Sequence, residues 1–241
     1  MKKIFKRSFL IIASLVLAIL ILSYYAQYQL NQQPQFSEAN STALNCADIN
    51  SANVVPVAVA QVPQSADQHS IANKIIPDQY RASIATALAH YPELRDTHIE
   101  FVVRKTLTPL ESRPFISTIF GNKSQRRYQV IINPEPMPGM QSAMFESLSE
   151  TARAGAIGHE LGHTLYYESK STWELVLVGL AYPWGEFRKK FERSTDVTAI
   201  AHCLGDNLLQ WSQEIHSGGP DKWNISGFYL SPVEIEAFIQ K

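Results

Sequence analysis

The stretch SLSETARAGAIGHELGHTLYY, residues 147–167, decides the fold of this chain. Its small and apolar residues predict a helix from about Leu148 to about Tyr167, and the second half of that helix contains HELGH at positions 159–163. An α-helix completes one turn in about 3.6 residues, so side chains four positions apart lie on one face. His159 and His163 are therefore expected to point in the same direction.

Two histidines in this arrangement can bind one metal ion, and HExxH on a helix is typical of zinc hydrolases. Glu160, next to the first histidine, is expected to be the general base that takes a proton from a metal-activated water. Gly158 and Gly162 leave space beside the ligands for close packing. The sequence therefore predicts one Zn²⁺ per chain, with Glu160 as the catalytic residue.

A catalytic zinc needs a third protein ligand and one open position. Glu192 begins the segment ERSTD, in which Asp196 follows four residues later on the same helix face. We expect Glu192 to be the third ligand and Asp196 to orient a ligand histidine from the second coordination sphere. Asp196 as the ligand itself is the alternative.

These two motifs together resemble the gluzincins, which have HExxH on one helix and a glutamate in an ExxxD arrangement on a later helix. Residues 159–206 look most like the membrane-associated M48-type peptidases, whose later helix reads roughly ExxAD followed by alanine. Thr195 replaces the first alanine here, whereas Ala199 is retained. The metzincin continuation is excluded, because Tyr166 and Ser169 stand where glycine and histidine are required.

The resemblance implies that a peptide substrate binds as an added strand on an edge of the sheet beside the motif helix. Residues 129–133 are the expected edge, with Arg126 and Arg127 at its start as candidates for influencing charge preference. Zinc hydrolysis also needs a donor for the transition-state oxyanion. The candidates for that donor are His202, His216, Tyr166 and Tyr167.

The remaining pattern predicts an α+β fold: a small mixed β-sheet, then the motif helix, then a mainly helical C-terminal part. Residues 99–104 and 128–132 are rich in β-branched and aromatic residues and predict strands, with a weaker candidate at 115–120. Helices are expected after Pro77, at 173–183, at 186–202, at 207–216 and after Ser231. Capping-box patterns occur at Ser147/Glu150, Ser171/Glu174 and Ser231/Glu234.

The N-terminus predicts a membrane anchor. Residues 1–7 are basic, and residues 9–26 form an uncharged run of nearly the length that a bilayer-spanning helix needs. We expect 1–7 to be cytoplasmic, 8–28 to be a single transmembrane helix, and the remainder to lie in the periplasm or outside the cell. Secretion after signal-peptide cleavage is the alternative.

Residues 29–68 are rich in Gln, Asn, Ser and Ala and predict a flexible linker, which places the catalytic domain at 69–241. The chain contains two cysteines, Cys46 and Cys203. Outside the cytoplasm they can form a disulfide, although two free thiols are equally compatible with the sequence.

Charge argues against nucleic-acid binding, because residues 8–241 have 17 basic and 22 acidic side chains and a net charge of −5. The expected function is a membrane-anchored zinc endopeptidase acting on peptide or protein substrates. Two alternatives stay open: a non-catalytic zinc-containing module of an envelope or surface assembly, and a zinc hydrolase that acts on cell-wall amides. The sequence indicates no particular oligomeric state.

Overall fold

The computed structural model describes residues 2–31, residue 46, and residues 71–217 and 227–240; for 2–13, 15 and 31 the description is limited to the backbone. The elements, in chain order, are α1 (Lys2–Asn31), β1 (Lys74–Ile75), α2 (Arg81–Ala89), β2 (His98–Val103), β3 (Leu110–Pro114), α3 (Ile116–Ile119), β4 (Arg127–Ile132), α4 (Glu150–Ser169), α5 (Thr172–Ala181), α6 (Gly185–Ala199), α7 (Gly205–Ser217) and α8 (Pro232–Ile239).

The sheet has four strands in the order β1-β2-β4-β3. The first three strands are parallel, whereas β3 runs antiparallel to β4 and forms one edge. In the described residues after β4 the long elements are helices, so the predicted α+β class, with a small mixed sheet and a mainly helical C-terminal part, is confirmed.

Helix α4 is the centre of the fold. It packs against α2, β3, α6 and α7, and most of its side chains are buried. Small residues make this possible, since alanines and glycines let four elements approach one helix. The predicted start of α4 was two residues early: Ser149, and not Ser147, caps the helix by accepting a hydrogen bond from Ala152 N–H. The capping boxes at Ser171 and Ser231 are confirmed.

Two predictions about the sheet were wrong. Residues 116–119 form the short helix α3, and the strand lies earlier, at Leu110–Pro114. The polar sequence LESRP escaped recognition because an edge strand can contain charged residues and proline. The predicted edge, residues 129–133, falls mainly in β4, which is an interior strand paired on both sides.

Helix α6 ends in a π-helical turn, Ile200–Leu204, that leads into α7. Within it, Cys203 adopts a left-handed backbone conformation with φ of 63°. Its sulfur forms a disulfide with Cys46, 157 residues earlier. This bond fixes residue 46 to the helical half of the domain.

Helix α1 packs against α5, which covers Ala26 and Leu30 completely. Among the residues described here, the structure contains no helix that combines the length and apolarity needed to cross a membrane. The side chains of the predicted basic end, residues 1–7, and of residues 8–13 and 15 of the predicted anchor lie outside the described residues. So does the predicted linker, apart from Gln29, Leu30, the backbone of Asn31, and Cys46.

Candidate metal centre

Three predicted ligands converge in the core between α4 and α6. His159 Nε2 lies 3.0 Å from Glu192 Oε2, and His163 Nε2 lies 3.2 Å from the same oxygen. Each residue offers one ligand atom, and these atoms all lie within 4.8 Å of one another. All three residues are buried. The group has the composition and spacing to hold a metal ion.

Asp196 fixes the orientation of the first histidine. Its Oδ1 accepts a hydrogen bond of 2.8 Å from His159 Nδ1–H, and its Oδ2 accepts another of 2.7 Å from the backbone N–H of Leu230. Because Nδ1–H donates to Asp196, Nε2 is the ring nitrogen that is directed at the cluster. Asp196 therefore occupies the orienting position predicted for it and is absent from the ligand group.

Thr195 fixes the orientation of the second histidine, His163. Its hydroxyl donates to the Phe191 carbonyl at 2.9 Å, which leaves its oxygen free to accept from His163 Nδ1–H at 3.2 Å. The Nε2 lone pair of His163 is then also directed at the cluster. Thr195 is the position at which the sequence departs from the ExxAD pattern, and its hydroxyl gives a physical reason for the departure.

Tyr182 holds the third predicted ligand. Its hydroxyl donates a hydrogen bond of 2.6 Å to Glu192 Oε1, the oxygen that faces away from the histidines. Burial acts to raise the pKa of the Glu192 carboxyl, but the adjacent His163 and His159 bring that pKa well below its usual range. Glu192 is therefore an anion and can act as a ligand.

The same charges act on His159. Burial disfavours its charged form, yet the hydrogen bonds to Asp196 and Glu192 outweigh burial and raise the pKa of His159 to about 10. The protein thus surrounds this ring with enough negative charge to attract a cation. A metal ion binding at Nε2 would replace the proton there.

Glu160 lies beside the cluster without belonging to it. The residue is buried, and its Oε2 has no hydrogen-bond partner among the described residues. Burial raises the pKa of the Glu160 carboxyl above its ordinary value. An unpaired buried carboxylate oxygen is costly to maintain in a purely structural role, so it indicates a function.

A cleft of about 350 Å³, including space open to solvent, reaches Glu160 from one side. Its wall is mostly apolar, and the groups that line it are Pro109, Leu110, Ala143, Phe145, Leu148, Ala156, Glu160, Trp211 and Tyr229. Tyr229 and Trp211 also contact the first ligand, with ring centroids 5.3 and 5.5 Å from that of His159. The cleft therefore lies between the candidate ligand group and the start of β3.

No strand of the described part of the chain pairs with the outer edge of β3. Phe115 N–H donates to Arg127, and Asn133 N–H donates to Pro109, so the residues that pair with β4 are those at odd positions. Ser112 N–H and C=O consequently point outward. The Ser112 side chain faces α4, where its hydroxyl lies 2.8 Å from that of Thr164. The edge strand is thus fixed to the helix that contains HELGH.

The glycines of HELGH and its flank allow these close contacts. A Cβ at Gly158 would lie 2.4 Å from Leu204 Cδ1, and one at Gly162 would lie 2.9 Å from Thr195 Cγ2. The space expected beside the ligands is therefore filled by the π-helical turn and by α6.

The predicted oxyanion donors have other contacts. His202 and His216 hydrogen-bond through Nδ1 to carbonyls of their own helical turns, those of Thr198 and Ser212. Tyr166 and Tyr167 pack with Phe191. Arg126 is buried and donates to the Lys170 carbonyl, which is a structural contact. Arg127 pairs with Glu100 on the exposed face of the sheet.

Sequence reasoning missed four residues of the site: Tyr182, Thr195, Trp211 and Tyr229. Only Thr195 had a signal, since it lies inside ERSTD. Tyr182, Trp211 and Tyr229 reach the site from other elements, and no spacing rule connects them to HELGH.

Comparisons of the chain with known protein families, with curated proteins and with solved structures returned no significant match.

Proposed function

We propose that this protein is a zinc-dependent peptidase. The observation that carries the proposal is the convergence of His159 Nε2, His163 Nε2 and Glu192 Oε2, while Nδ1 of each ring is hydrogen-bonded to another side chain. Two neutral imidazoles and a carboxylate are a ligand set that suits Zn²⁺ and leaves a fourth position open. The ExxxD pairing of Glu192 with Asp196 supports a zincin-like, gluzincin-type site.

Zinc bound by these residues would supply a Lewis acid that lowers the pKa of water. Residues of the chain would transfer the proton and orient the ligands. Glu160 has a buried, unpaired oxygen and a raised pKa, so it is suited to accept a proton from water and return it to the leaving amine. Asp196 and Thr195 keep both histidines in the tautomer that binds metal.

Tyr229 is the proposed donor for the oxyanion of the transition state. It lines the cleft with Glu160 and packs on His159. Burial and the nearby Glu192 carboxylate raise the pKa of the Tyr229 phenol well above its usual value. The hydroxyl therefore keeps its proton and can donate a hydrogen bond to developing negative charge.

The substrate is proposed to be an extended peptide added to β3. Ser112 presents its backbone N–H and C=O outward, and Pro109 and Leu110 line the cleft that leads to Glu160. Backbone pairing accommodates many sequences, and the apolar wall favours an apolar side chain beside the cleaved bond. This edge replaces residues 129–133 of the initial prediction.

The N-terminal helix is proposed to anchor the domain, with residues 1–7 in the cytoplasm and the site outside it. The apolar run at 9–26 and its basic flank support this arrangement. An oxidised Cys46–Cys203 pair is compatible with such a compartment.

The test measures zinc content and peptide hydrolysis by the full chain in detergent micelles. We expect about one zinc per chain, and we expect Glu160→Gln to abolish hydrolysis while zinc stays bound. Glu150→Gln, at the exposed start of the same helix, is the matched control and should retain activity. Normal hydrolysis by Glu160→Gln would refute the mechanism.

The two alternative functions predict other outcomes. A structural zinc site would bind zinc without hydrolysing any peptide, and a cell-wall amidase would release fragments from peptidoglycan while leaving peptides intact. One arrangement that could close the site is disfavoured by the geometry. Both Asp196 oxygens accept hydrogen bonds, from His159 and from Leu230, so Asp196 is not free to fill the fourth position.

A further inference from the structure

Helix α1 changes its surroundings sharply at Ser23. The large apolar side chains from Val16 to Leu22 are 45–61 % exposed. From Ser23 onward one face is buried, because Ser23, Ala26 and Leu30 are 7, 0 and 0 % exposed. Positions three and four apart share a helix face, so this is a continuous packed stripe. The packed part of α1 therefore begins directly after an exposed apolar part.

The body meets α1 at this boundary through α5 and the start of α6. Helix α5 packs along α1, and Trp184, just before α6, contacts Tyr24 edge-on with ring centroids 6.3 Å apart. Tyr25 is exposed beside it. Tyrosine and tryptophan are the residues enriched where a protein passes from lipid into water. The boundary on α1 thus has the chemistry of a membrane interface.

The metal cluster lies close to the same point. Tyr182 precedes Trp184 by two residues, which span at most about 7 Å of chain. The hydroxyl of Tyr182 donates to Glu192, the third proposed ligand. The side chains of Tyr182 and Trp184 and the two residues of backbone that join them therefore connect the cluster to Tyr24 at the boundary on α1.

We propose that the site works at the outer surface of the bilayer, on the segment of a membrane-inserted polypeptide that lies next to its own membrane span. This inference rests on the proposed function. Lipid covers residues 16–22 of α1, since an apolar phase suits six large apolar side chains on a stretch of helix without charges. The packing of α1 on α5 then holds the site at a fixed height above the bilayer surface. A bound peptide must pass the site within a few residues of the lipid.

A series of substrates with different spacers tests the height of the site. The full chain is placed in nanodiscs with one of two single-span substrates. In the first, the cleavable sequence directly follows the membrane span. In the second, a stiff helical spacer of about 40 residues, roughly 60 Å long, separates the cleavable sequence from the span and raises it above the bilayer. We expect cleavage of the raised substrate to be at least about tenfold slower. Equal rates for the two substrates would overturn the proposal.

The variant Ala26→Arg separates height from catalysis. Arginine cannot fit at the fully buried position 26, so the body should detach from α1 while the site stays intact. We expect the difference between the two substrates to shrink, with cleavage of a soluble peptide unchanged. If the difference persists in full, the contact between α1 and α5 does not set the height.

A second measurement is independent of activity. In nanodiscs whose lipids have brominated acyl chains, tryptophan near the bilayer is quenched. We expect Trp184→Phe to remove most of the quenched emission, and Trp173→Phe, at the far end of α5, to leave it in place. Unchanged quenching in Trp184→Phe would overturn the proposed geometry. Loss of all hydrolysis with this quenching intact would instead refute the peptidase.

Discussion

Gly155 lies where the backbone of α7 approaches α4 closely, and Gly155→Ala tests how tightly the core around the site is packed. A Cβ there would lie 2.2 Å from the carbonyl oxygen of Asn207 and 2.8 Å from the backbone nitrogen of Leu208. Ordinary contacts between heavy atoms are about 3.5 Å or longer. The clash is with backbone, so no side-chain rotation relieves it, and α7 must retreat by about 1 Å.

Two effects set the magnitude. Replacing glycine by alanine favours a helix by about 1 kcal/mol, whereas overpacking of a filled core costs about 1–3 kcal/mol and more when backbone must move. We expect Gly155→Ala to lower the free energy of unfolding by about 1–2 kcal/mol. A Cβ added at Gly179, in α5, would have no other atom within 4 Å, so Gly179→Ala should raise the free energy of unfolding by about 0.5–1 kcal/mol.

The assay is urea unfolding of the full chain in detergent, followed by circular dichroism, with the two alanine variants measured side by side. The free energies of unfolding of the two variants should differ by about 1.5–3 kcal/mol, or roughly 3–12 °C in melting temperature for a domain of this size. If Gly155→Ala is as stable as Gly179→Ala, then α4 and α7 do not pack as described.

Three further predictions concern zinc affinity, measured by competition with a chelator. Asp196→Asn should weaken binding by about 10–100-fold because the charged acceptor for His159 is lost, whereas Asp206→Asn, exposed at the start of α7, should leave affinity unchanged. Thr195→Val keeps the shape of the side chain but leaves the Nδ1–H of a ligand histidine unpaired, and should weaken binding about tenfold; Thr195→Ser should restore it. Tyr182→Phe removes the hydrogen-bond donor to Glu192 and should also weaken zinc binding by about tenfold. Wild-type affinity in any of the three affected variants would contradict the assigned contact.

Local spacing explains which parts of the site were predictable. His159 and His163 share a helix face because of the helical period, and Glu192 and Asp196 do so for the same reason. Both pairs could be found without knowing how the helices pack. The meeting of the two pairs in one buried cluster agrees with what the ExxxD pattern implied.

The rest depended on tertiary structure. Tyr182 and Tyr229 reach the cluster from a helix end and from the segment before α8, so their distance in sequence from HELGH has no fixed value. The edge strand β3 was missed because its outer side faces solvent and its sequence, LESRP, lacks the apolar alternation of a half-buried strand. Residues 129–133, QVIIN, were assigned to the edge although their burial on both faces is typical of an interior strand.

The central claim is an open zinc site formed by His159, His163 and Glu192, and X-ray absorption at the zinc edge of the full chain tests it most directly. We predict two imidazole nitrogens at about 2.0–2.1 Å and carboxylate oxygen at about 2.0–2.2 Å. We also predict a light-atom ligand that is exchanged when a peptide hydroxamate is added. A closed shell that the hydroxamate leaves unchanged, or a third imidazole, would contradict the account.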